Sequence, residues 1–146
     1  VLFRSEWRFW LRKGTQFHNG EGELTSEDVR YSYERYTDDK SNASNKPIML
    51  GIVERLEIAG PYELAFHLKA PDVTFGGRLA NGQFGVVSKK YVERVGDTEA
   101  TAKPVGTGPY RLVEHRRQES VTFEALPSHW RQTASFKTLI LRRVPD

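Results

Sequence analysis

The chain reads as a mixed α/β protein, short sheets with flanking helices. Three features predict this: two stretches of apolar–polar alternation, one capped amphipathic helix, and proline–glycine turns between apolar runs. Alternation is the period of a half-buried strand, whereas apolar residues three and four apart share one side of a helix. Near the start, Phe9, Leu11 and Lys13 alternate with Trp10 and Arg12, giving a strand with one buried face. Gly14 interrupts it, Phe17 resumes the apolar pattern, and Asn19-Gly20 is a turn signal.

Thr25 then stands as an N-cap, with Asp28 three residues on completing a variant capping box. The helix that follows places Val29, Tyr33 and Tyr36 along one side, and Glu27 and Asp28 sit where its dipole favours acidity. The polar stretch from Asp38 to Lys46 reads as a surface loop. Val53 to Ile58 and Glu63 to Leu68 form a hairpin around Ala59-Gly60-Pro61, with Leu64, Phe66 and Leu68 on one side and Glu63, Ala65 and His67 on the other. Gly76 and Gly77 weaken any helix between Val73 and Leu79. Phe84 to Val87 reads as a short apolar strand, Ser88 caps a helix ending before Gly96, and Asp97 to Lys103 reads as an exposed connector. Tyr110 to Glu114 and Val121 to Glu124 suggest a second hairpin. Phe136 to Val144 is the last strand, with Phe136, Thr138, Ile140 and Arg142 on one face.

Composition excludes several function classes. No run of about 18 apolar residues is present, so nothing in the sequence reads as a membrane-spanning helix. The absence of cysteine removes disulfides, thiolate nucleophiles and cysteine-based zinc sites. Fourteen of the 22 basic residues are arginine, but they are scattered, the net charge is only +3, and no nucleic-acid-binding module is recognisable. His18, His67, His115 and His129 lack the close spacing of a metal-binding pair, so neither metal nor other cofactor is expected. Glu27 and Asp28 are adjacent and belong to a helix start, which does not present an opposed acid and base. The reading is therefore of a non-enzyme.

The segment Pro104-Val105-Gly106-Thr107-Gly108-Pro109-Tyr110 fixes an unusual backbone path just before a strand. It lacks the lysine and hydroxyl residue of a phosphate-binding loop, and a strand follows it instead of a helix. Pro104, Gly106, Thr107, Gly108, Pro109 and Tyr110 are read as a structural junction, and a bulky side chain at Gly108 is expected to damage folding before specificity. A second motif runs Trp7-Arg8-Phe9-Trp10-Leu11-Arg12-Lys13-Gly14-Thr15-Gln16-Phe17-His18-Asn19-Gly20, followed by Leu24-Thr25-Ser26-Glu27-Asp28-Val29. Together with Val87-Ser88-Lys89-Lys90-Tyr91-Val92-Glu93-Arg94-Val95-Gly96, and in this order, these landmarks resemble the signatures of family 5 extracellular solute-binding proteins. Those are the receptors of oligopeptide, dipeptide and nickel ABC importers. Leu126-Pro127-Ser128-His129-Trp130 departs from the family's Asn-Pro-x-Tyr-Trp pattern at Leu126 and His129, which puts a local turn contact in doubt.

The resemblance implies a partial first lobe of a two-lobed, periplasmic-binding-protein-like fold. Residues 1–24 would give a strand and turn of the first lobe, 25–103 its accessory subdomain, and 104–146 the return to its main sheet. The second lobe would lie outside the sequence. It further implies solute capture for an ABC importer, most often of short peptides, with the permease subunits as partner. Location would be the periplasm, or the cell surface through a lipid anchor outside this sequence. A receptor for nickel complexes or another non-peptide solute, or a ligand-sensing domain of a regulatory protein, are the alternatives. Arg78, Asn81, Gln83 and Phe84 lie between elements and are the candidate cleft residues.

Overall fold

The alternating stretch near the start forms β1 (Glu6–Trp10), with Trp7 and Phe9 turned inward and Trp10 left 71% exposed. A computed structural model describes residues 5–80 and 84–144. Two units are evident: one is Leu24–Lys89 with the chain up to Lys13, the other Gly14–Glu23 with the chain from Lys90 onward.

The first unit packs helices on one face of a three-stranded antiparallel sheet. β2 (Val53–Gly60) and β3 (Glu63–Leu68) form the expected hairpin, and β1 pairs with the far side of β3, giving the order β1-β3-β2. As the middle strand, β3 is buried most deeply: Leu64, Phe66 and Leu68 are only 1–3% exposed. Phe66 gathers the aromatic core, with Phe9, Tyr33 and Phe75 ring centroids 6.0, 5.6 and 5.2 Å away. Tilted and edge-on pairs of this kind add about 1 kcal/mol each to the burial itself. On the opposite face, register sets charges side by side: Arg8 bridges Glu6 and Glu63, and His67 lies 2.9 Å from Glu57.

Helix α1 (Ser26–Thr37) begins where expected, and Val29, Tyr33 and Tyr36 pack on the core. Asp28 has a double use. One carboxylate oxygen accepts from the Thr25 N–H and hydroxyl, both at 2.9 Å, and the other accepts from the Lys89 N–H, also at 2.9 Å. A short α2 (Lys46–Ile52) follows the loop, with Pro47 in its first turn and Met49 buried. The sequence reading left this helix unassigned because seven residues carry too little periodicity.

Three sequence expectations are corrected. Residues 75–80 are helical as α3 (Phe75–Ala80) despite Gly76 and Gly77. Asp72 accepts from the Thr74 N–H and hydroxyl ahead of the helix, and Gly76 lies so close to Trp7 that an added Cβ would stand 3.0 Å from its ring. Here glycine serves tertiary packing, which overrides its poor helix propensity. Phe84 to Val87 is not a strand: the Val87 N–H donates to Ser32 Oγ at 2.9 Å, so a helix side chain takes the place of a ladder partner. Asp97 to Lys103 is not an irregular connector but is largely α5 (Asp97–Ala102), entered through Gly96 at φ +81° with Asp97 and Glu99 in its first turn.

In the second unit, α4 (Lys89–Val95) ends at Gly96 as expected, and Tyr91, Val92, Phe17 and Val105 are buried. β4 (Tyr110–Arg116), β5 (Ser120–Ala125) and β6 (Thr138–Arg142) form an antiparallel sheet in that order, with a bulge between Leu112 and Glu114.

The Asp72 carboxyl is held below its ordinary pKa, first by the Thr74 hydroxyl and amide and then by Arg78. A depressed carboxyl pKa gives stability that is present above about pH 4 and lost as pH falls through the folded value. Asp72→Asn therefore should melt below the wild type at pH 5, with the gap closing as pH is lowered towards about 2. Melting temperature against pH for the two chains checks this; a gap independent of pH contradicts it.

Candidate functional site

The proline–glycine segment is tied down through its carbonyls. Prolines at 104 and 109 withhold backbone donors, while four consecutive carbonyl oxygens, 106 to 109, all accept hydrogen bonds. The His18 N–H donates to Gly106 O at 2.9 Å, and His18 Nε2 donates to Gly108 O at 2.8 Å. His129 Nε2 and Trp130 Nε1 both donate to Thr107 O, at 3.0 and 3.2 Å. The Leu126 N–H donates to Pro109 O at 2.9 Å.

The two histidines take the same tautomer. His18 Nδ1 accepts from the Gly106 N–H at 3.4 Å, and His129 Nδ1 accepts from the Arg131 and Gln132 amides, leaving Nε2 as the protonated nitrogen of each ring. His18 is 7% exposed, and the turn that carries it places Asn19 and Gly20 at φ +60° and +74°. His18 is thus a buried hydrogen-bonding residue beside Asn19-Gly20. It joins two motifs nearly ninety positions apart, a link that sequence spacing alone does not reveal. The departures at Leu126 and His129 leave the turn paired, since one bond comes from backbone and the other from a ring N–H.

Beside this junction, Thr107–Tyr110 and His129–Ser135 enclose an open cleft of about 420 Å³. Its lining has an aromatic wall, Tyr110 and Trp130, and no carboxylate. The Tyr110 hydroxyl is committed to Phe136 O at 3.0 Å.

Of the candidate cleft residues, Arg78 lies on α3, where its Nε donates to Asp72 Oδ2 at 3.1 Å. Phe84 packs edge-on against Tyr36 with centroids 5.6 Å apart. Asn81 and Gln83 lie outside the described residues. The sequence reading passed over Asp72, which organises this corner. Its signal was present as the Asp-x-Thr spacing ahead of a helix.

Replacing His18 by Phe keeps the ring volume but leaves Gly108 O and the Gly106 N–H without partners. The expected loss is about 1–3 kcal/mol of unfolding free energy. Urea titration of both chains measures it, and a loss within error of zero would show that water or a neighbour replaces the imidazole.

The sequence model for bacterial extracellular solute-binding proteins, family 5 Middle, matches residues 4–146. Di/tripeptide-binding protein 2 of Pseudomonas aeruginosa is 28% identical over 152 residues, covering 91% of this chain and 29% of that protein. Among solved structures, the periplasmic binding protein DppA of Helicobacter pylori, in complex with the peptide STSA, superposes with a TM-score of 0.84 at 24% identity. The match covers 97% of this chain and 31% of that one. MoaA of A. tumefaciens R10, in complex with mannopinic acid, gives 0.87 at 22% identity, covering 99% and 29%. The two structures share the fold, and this chain spans less than a third of the length of each of these relatives. The chain belongs to the family 5 bacterial extracellular solute-binding proteins.

Proposed function

We propose that the protein of which this chain forms part captures short peptides outside the bacterial cytoplasm and delivers them to the permease of an ABC importer. The observation that carries this reading is the family match from residue 4 to residue 146. The peptide class is supported by the name of the Pseudomonas aeruginosa relative and by the resemblance of the chain's motifs to those of peptide receptors. A receptor of this kind releases its solute unchanged, so the proposal requires no catalytic group. Its free energy comes from two lobes closing over a solute and removing it from water. Backbone hydrogen bonds to a peptide tolerate varied side chains, which suits capture of mixtures.

In that receptor, residues 1–24 and 104–146 would serve the main part of the first lobe and 25–103 its accessory part. Arg78, Asn81, Gln83 and Phe84 are the proposed solute-facing residues of this stretch. Among the described residues only the Nε of Arg78 is engaged, by Asp72, which leaves its terminal nitrogens for a carbonyl or carboxylate. The periplasm, or the outer surface through a lipid anchor, is the proposed location.

Native mass spectrometry of the full-length protein, with the released solute identified, should find a mixture of short peptides. A single uniform solute, such as a metal complex or a mannopinic-type acid, overturns the peptide class and leaves the receptor reading standing. With a peptide in hand, Arg78→Ala should weaken affinity about tenfold, equivalent to the loss of one charged hydrogen bond. Stability should change by no more than about 1 kcal/mol, because the Arg78 side of the pair is exposed and Asp72 keeps its bonds from Thr74. Calorimetric titration reads the first and thermal melting the second; unaltered affinity removes Arg78 from the site.

A further inference from the structure

The loop between β5 and β6 is pinned at its neck and again part-way along. At the neck the Ala125 N–H donates to Lys137 O at 2.8 Å, and the Tyr110 hydroxyl donates to Phe136 O at 3.0 Å. Further along, His129 and Trp130 both donate to Thr107 O. A short loop whose ends are held together in this way is a compact structural unit of its own. Its stretch 131–135, together with Pro109, Tyr110 and Trp130, lines the open cleft of about 420 Å³.

The lining groups differ in what they have left to offer a ligand. Tyr110 and Trp130 commit their hydroxyl and indole N–H to backbone carbonyls, which fixes both rings in place. The side chains of Arg131, Gln132, Thr133 and Ser135 have no hydrogen-bond or ion-pair partner among the described residues. Anchored rings therefore stand beside uncommitted donors, one of them a cation.

We propose that this cleft binds a small organic carboxylate bearing a flat ring, the ring against Tyr110 and Trp130 and the carboxylate on the Arg131 guanidinium. The inference does not rest on the solute class proposed above. Charge selects the anion: between Ala125 and Lys137 the sequence holds two cations and no carboxylate. Glu124, just outside that stretch, is taken by Arg111 at 2.6 Å. The guanidinium fork meets a carboxylate with two parallel N–H bonds, whereas a cationic ligand would meet like charge. Fixed aromatic rings suit a planar partner, stacked offset or edge-on. The volume lies in the range of small-molecule sites, and walls already anchored leave little ordering to be done on binding.

Full-length protein labelled with 5-fluorotryptophan gives one fluorine signal per tryptophan, and Trp130→Phe identifies the signal of Trp130. Indole-3-acetate should shift that signal to saturation. Tryptamine, the same ring with an ammonium in place of the carboxylate, should leave it unmoved at equal concentration. Arg131→Gln should weaken indole-3-acetate about tenfold, equivalent to one charged hydrogen bond. Its melting temperature should stay that of the wild type, because the guanidinium has no partner to lose. Equal response to the two probes would show a surface with no preference for an anion. No saturable shift would show the cleft filled or closed by another part of the receptor. Unchanged affinity in Arg131→Gln would put the charge recognition elsewhere; each of the three overturns the proposal. If Trp130→Phe does not fold, calorimetric titration of both probes into wild type and Arg131→Gln replaces the fluorine signal, with the same outcomes. The probes are the same whatever solute the receptor carries, so a failure here leaves the peptide assignment untouched.

Discussion

Four successive carbonyl oxygens in the Pro104–Tyr110 segment impose the constraint on which the second unit is built. Two prolines in seven residues remove backbone donors, so the segment is rich in acceptors and poor in means of satisfying them internally. Partners must come from elsewhere: an imidazole and amide at His18, two aromatic rings at His129 and Trp130, and an amide at Leu126. Each bond fixes the register of a different stretch relative to the turn. Space does not demand glycine at either position of the turn: an added Cβ at Gly106 would stand an ordinary 3.9 Å from the His18 imidazole, and one at Gly108 would meet nothing within 4 Å.

The first unit depends on packing instead. Its organising residue is Phe66 on the middle strand, surrounded by rings from β1, α1 and α3. Among its polar links, two carboxylates act at helix starts: Asp28 serves α1 and the Lys89 amide, and Asp72 serves α3. Burial provides the bulk of the stability, and these bonds decide where each helix begins.

What the sequence disclosed follows from which forces are local. The β2–β3 hairpin, the start of α1, the end of α4 and the β4–β5 hairpin were legible because alternation, capping residues and glycine stops are written within a few positions. α2 and α3 were not, since six or seven residues show no period and Gly76 is explained only by a tryptophan 69 positions away. Phe84 to Val87 has the composition of a strand, yet Ser32 occupies the hydrogen bonds a strand would need. Of the candidate cleft residues, the sequence placed Arg78 and Phe84 between elements, whereas Arg78 lies on α3. It gave no hint that Asp72 and Tyr36 already hold them.

The shared tautomer of His18 and His129 bears on coordination chemistry. A transition metal binds imidazole through an unprotonated nitrogen whose lone pair is free. In both rings one nitrogen carries its hydrogen to a carbonyl and the other spends its lone pair on backbone amides. Neither can ligate an ion unless the turn between Pro104 and Tyr110 first comes apart. Any protein donor to a metal carried by a receptor built on this chain must therefore come from other residues, and the fold keeps these two imidazoles for architecture.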